Sequence, residues 1–108
     1  MPHLPFITGS HAYGTPHKDS DVDVVVYTPE RIMLTNLEDI FGPLTQYGEN
    51  RFACRCGCLN LIVCCDADTY DKWLSCTNEL IARKPVTREE SCLVFNAAGI
   101  TGGSSGTV

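Results

Sequence analysis

Two periods of apolar and polar positions run along this 108-residue chain, and they divide it into short elements. Residues 5–8 form a brief apolar run that ends at Gly9, as a short buried strand would. Residues 11–20 are polar and turn-rich, which predicts a helical turn and loop. Residues 21–27 are a β-branched strand. Thr28-Pro29-Glu30 reads as a helix start, with Thr as cap and Pro at the first helical position. Asn36, with Asp39 three residues on, starts a second short helix that Gly42-Pro43 ends. A turn at Tyr47-Gly48-Glu49-Asn50 leads to strands over 52–56 and 58–65, with Gly57 allowing a bend between them. The period then changes to three and four: Tyr70, Trp73, Leu74, Thr77, Leu80 and Ile81 predict an amphipathic helix over 67–83. Asp66 or Asp68 lies near its cap, and Lys84-Pro85 breaks it. Thr87 to Glu90 is a capping box for a last helix, with Leu93, Val94 and Ala97 inward and Gly99 as its stop. These elements predict a mixed α/β (α+β) fold, a small mixed sheet covered by helices. They form one domain over residues 1–99, followed by a flexible tail over 100–108.

Composition narrows the function classes. A net charge of −5 and a pI near 4.9 argue against a strong nucleic-acid patch, because gripping phosphates takes many Lys and Arg. A nucleotide substrate stays open, since a divalent cation can supply positive charge. No apolar run is long enough for a membrane span, and the N-terminus lacks the features of a signal peptide, so the expected compartment is the cytoplasm. Seven cysteines without a secretory signal read as reduced thiols. Cys54, Cys56 and Cys58 would share one strand face. Their spacing is not that of a zinc knuckle, and packing is the preferred reading over zinc.

The chemistry concentrates in "ITGSHAYGTPHKDSDVDVVVY", residues 7–27. On a strand, Asp21 and Asp23 point to one face. Side by side they repel, and burial makes that worse, unless a divalent cation sits between them. Alone, Asp-x-Asp is an ordinary solvated strand start and Gly-Ser an ordinary turn. The combination of an apolar strand, Gly9-Ser10, ten residues and Asp-Val-Asp opening a buried run is far more specific. Gly lets backbone approach a ligand, and turn amides with the Ser hydroxyl can hold phosphate oxygens.

"ITGSHAYGTPHKDSDVDVVV" resembles the signature of the nucleotidyltransferase superfamily, which includes DNA polymerase beta, kanamycin nucleotidyltransferase and the minimal nucleotidyltransferases. The form "GSHAYGT…SDVD" is similar to small bacterial and phage-encoded members. "LNLIV…W…ELIARKPVTREE…F" also resembles short phage proteins of this type. The resemblance implies metal-dependent transfer of a nucleoside monophosphate from an NTP, such as ATP, to an acceptor hydroxyl on a small molecule, RNA or protein. It implies that Gly9 and Ser10 hold the β- and γ-phosphates, with Lys18 or Arg55 adding charge, and that Asp21 and Asp23 bind Mg²⁺ or Mn²⁺. His11 and His17 read as surface or capping residues.

The superfamily carries a third carboxylate on a later strand, and the polar position of "CLNLIVCC" is Asn60. Asn coordinates through its carbonyl oxygen but accepts no proton, which implies NTP and metal binding with weak acceptor activation. Asp66 or Asp68 could substitute only in another register. The plain alternative for Asn60 is a polar residue facing solvent from an edge strand. Two function classes follow. One is a nucleotidyltransferase. The other is a nucleotidyltransferase-like protein of phage type that docks on a host protein without chemistry.

Overall fold

A computed structural model describes residues 3–100 of the chain. The β-branched run is strand β2 (Val22–Tyr27), which lies between β1 (Phe6–Thr8) and the central strand β5 (Leu59–Cys64). Strands β3 (Thr45–Gly48) and β4 (Arg51–Cys56) complete a five-stranded sheet in the order β1-β2-β5-β4-β3. Only the β2–β5 pair is parallel. The fold is therefore the mixed α+β architecture that the pattern predicts.

Helices cover both faces. Helix α2 (Arg31–Phe41) lays Leu34, Leu37 and Phe41 against Leu61, Val63 and Phe52. On the opposite face, α3 (Ala67–Ala82) and α4 (Arg88–Ala97) close a core of Val25, Ile62, Cys64, Tyr70, Trp73 and Cys76. The four-residue helix α1 (Ser10–Tyr13) packs Tyr13 with Leu80 and Val86 on that same side. Asp66 caps α3 by accepting from the Thr69 amide, and the Thr87–Glu90 capping box is formed at α4.

Several elements differ from the sequence expectation. One helix, α2, replaces the two predicted from starts at 28–30 and 36, because Leu34, Leu37 and Phe41 keep a single half-buried stripe through Asn36. Thr28 is not its cap: the Thr28 amide donates to the Cys64 carbonyl at 2.9 Å, so the sheet has claimed it, and Glu30 takes the N-cap position. Strand β3 was not foreseen; all four of its residues are exposed at the sheet edge, so no alternation marks it. In α4, Leu93 is 71% exposed and Ala97 is also outside, while Ser91, Val94, Phe95 and Ala98 face inward. Phe95 sets that face by packing on Trp73, with ring centroids 4.8 Å apart. Gly99 ends the helix at φ 84°, and the Ile100 amide closes back to the Phe95 carbonyl at 2.9 Å. Ile100, assigned to the tail by sequence, is buried in the core; the rest of that segment, 101–108, lies outside the described residues. Of the Cys54, Cys56 and Cys58 set, only Cys54 packs inside. Cys56 and Cys58 are exposed, because β4 ends at Cys56 and the chain turns through Gly57 at φ 60°.

Candidate active site

Strand register assembles the site. Thr8, Asp23, Asn60 and Arg55 are successive partners across β1, β2, β5 and β4, so they form one row on the face that carries α3 and α4. Asp21, two residues before Asp23, extends from that face just ahead of β2. The row sits at the start of β2, where the chain leaves β1 through Gly9.

Gly9 adopts φ 75°, and its carbonyl accepts from the Ala12 and Tyr13 amides at 2.9 and 3.1 Å. A Cβ at this position would run into the Asp23 carboxylate. Glycine is thus required twice here, by the backbone and by the acid that lies against it. Ser10 follows at the first turn of α1 and lines a cleft of about 500 Å³. Asp19, Asp21, Asp23 and Arg55 line the same cleft, and His17 and Ser20 lie on its loop side. The opposite wall is Tyr13 with Val86, Thr87, Arg88 and Ser91 from the start of α4.

Asp23 is 8% exposed and Asn60 5%. The Asn60 side-chain amide donates to Asp23 Oδ1 at 3.0 Å, which leaves Oδ2 on the Gly9 side. Burial pushes the Asp23 carboxyl above the ordinary aspartate range. The Asn60 hydrogen bond opposes that, the Asp21 charge adds to it, and Arg55 and His11 pull back. Asp21 pairs with Arg55, Oδ2 to Nη1, at 2.6 Å.

The sequence-selected residues Gly9, Ser10, Asp21, Asp23 and Asn60 are therefore brought together. Lys18 is exposed on the loop and does not line the cleft; Arg55 is the cation on the sheet side. Asn60 faces neither solvent nor an edge: it lies in β5, between β2 and β4, against Asp23. That register leaves Asp66 to cap α3 and Asp68 to pair with Lys72 at 3.2 Å, away from the row. Sequence reasoning did not select Tyr13, Arg88 and Ser91. The one available signal was the capping box, which marks a helix start near residue 87 but not what it faces.

Among the described residues, no group of three or more His, Cys, Asp or Glu side chains converges as a ready-made metal cage. The donor set nonetheless suits a magnesium-like ion, which commonly uses one or two carboxylates and takes further oxygens from water and substrate phosphates. Asp23 Oδ2 beside a bare Gly9 Cα and the adjacent Asp21 carboxylate provide that arrangement.

The family model for the nucleotidyltransferase domain matches residues 5–85, and the chain belongs to that family. Neither a curated protein nor a solved structure matches it. The matched span ends before α4, so the part of the cleft wall made by Val86, Thr87, Arg88 and Ser91 lies beyond it. Domains of this family transfer nucleoside monophosphates from NTPs and generally use a divalent metal. No described helix is long and apolar enough to cross a membrane.

Proposed function

We propose that the protein is a metal-dependent nucleotidyltransferase. It would transfer a nucleoside monophosphate from an NTP to an acceptor hydroxyl within the cleft at the start of β2. The observation that supports this most directly is the Asp23 carboxylate lying against Gly9, with Asp21 beside it, in a family-matched segment.

In this reading Asp21 and Asp23 hold Mg²⁺ or Mn²⁺, which neutralises triphosphate charge and orients the α-phosphate. Gly9 and Ser10 receive the β- and γ-phosphates through turn amides and the Ser10 hydroxyl. Asn60 orients Asp23 by donating to Oδ1. The acceptor oxygen bonds to the α-phosphorus as the bond to pyrophosphate breaks. Asn60 accepts no proton, so the acceptor proton passes to solvent, and turnover is slow.

The test is incubation of the pure protein with each labelled NTP, Mg²⁺ and a cell lysate as the source of acceptors. The expected outcome is a labelled product and pyrophosphate release, both lost with the double substitution Asp21→Asn and Asp23→Asn. Absence of transfer together with absence of Mg²⁺-dependent NTP binding would sink this reading. Stable capture of a protein partner that is indifferent to that substitution would point to the docking role instead.

A further inference from the structure

Arg55 occupies an unusual place for a surface cation. It ends the row that begins at Thr8 and runs through Asp23 and Asn60, so its stem rises from the sheet beside the acids. Its guanidinium meets Asp21 at 2.6 Å while the side chain stays half exposed and lines the cleft. Asp21 is also the residue assigned to the divalent cation. One carboxylate therefore faces two candidate positive charges.

We propose that Arg55 is a resident counter-ion: the incoming cation displaces it from Asp21, and the freed guanidinium binds the triphosphate. This rests on the nucleotidyltransferase reading above. Two neighbouring carboxylates repel, and Arg55 relieves that repulsion while no cation is bound. An ion pair this exposed is weak, so exchanging it costs little. A guanidinium is planar and presents forked donors that match phosphate oxygens, which a lysine ammonium does not. Its position in the row keeps it within the same cleft before and after the exchange. Metal and triphosphate binding then become coupled, because the metal releases the group that the phosphates need.

The coupling has a signature of opposite signs. In Arg55→Gln, Mn²⁺ alone is expected to bind about two- to fivefold tighter, the range set by a weak exposed pair. Inorganic tripolyphosphate at saturating Mn²⁺ is expected to bind about tenfold weaker, through loss of charge-assisted hydrogen bonds. The EPR signal of free Mn²⁺ follows the first and isothermal titration the second, with far-UV circular dichroism confirming the fold. Arg55→Lys keeps the charge without the fork, so its Mn²⁺ affinity should stay near wild type while tripolyphosphate binding falls. Lys72→Gln removes the same charge on α3, where Lys72 pairs with Asp68, and should change neither.

The proposal is overturned if Arg55→Gln changes neither affinity, or moves both in one direction, while the wild type binds both probes; the nucleotidyltransferase reading then stands without it. It is also overturned if Lys72→Gln reproduces the effect, which would mark a general charge response. A wild-type protein that binds neither Mn²⁺ nor tripolyphosphate refutes the underlying reading itself, and this inference with it.

Discussion

Asp23 is a residue whose ionised form the fold disfavours. Burial, with the Asp21 charge adding to it, raises its pKa above the unfolded value of about 3.9. Between those two values the native state holds a proton that the unfolded state has lost. Stability therefore falls as pH rises through that window, and the loss persists at neutral pH. In chelator-containing buffer, Asp23→Asn is expected to be more stable than wild type at pH 7, with no advantage below pH 3. Urea midpoints at the two pH values measure this. A wild type that gains stability as pH rises from 4 to 7 relative to the variant would contradict the stated cause. Site and fold oppose each other at one carboxylate, as expected of a group positioned for a cation.

At the scale of elements, α4 joins the site through its first turn. Its capping box holds that turn: the Thr87 hydroxyl accepts from the Glu90 amide at 3.2 Å, and the Glu90 carboxylate accepts from the Thr87 amide at 2.9 Å. Thr87→Ala should cost about 1 kcal/mol in urea denaturation. It should also loosen the turn that brings Arg88 and Ser91 to the cleft. The capping box was legible in sequence because it is a contact over three residues, and the α3 cap was narrowed there to Asp66 or Asp68, of which the structure uses Asp66. The inner face of α4 was not, since the partner that chooses Phe95 over Leu93 is Trp73 on another helix.

For the molecule as a whole, two core layers sort the seven cysteines by depth. Cys54, Cys64 and Cys76 are buried, and burial pushes the Cys64 thiol up to about 12. Cys56 and Cys58 lie exposed at the hairpin turn. A brief maleimide pulse on the native protein should label Cys56 and Cys58 first, with Cys54, Cys64 and Cys76 reacting only after unfolding. Peptide mass spectrometry reads the order. Early labelling of Cys64 would contradict the placement of β5 at the centre of the sheet.

The amino-acid sequence alone determined what depends on near neighbours. Alternation put Asp21 and Asp23 on one face, spacing in threes and fours drew α3, and Gly9-Ser10 marked a corner where backbone can approach a ligand. Tertiary structure decided everything that depends on register between distant strands: Asn60 against Asp23, Arg55 against Asp21, and α4 as the far wall of the cleft. The reason is physical. The parallel pairing of β2 with β5 joins segments 37 positions apart, as the Asn60–Asp23 bond shows. Its register is set by which apolar residues the two helix layers can bury together, a choice that no local pattern contains.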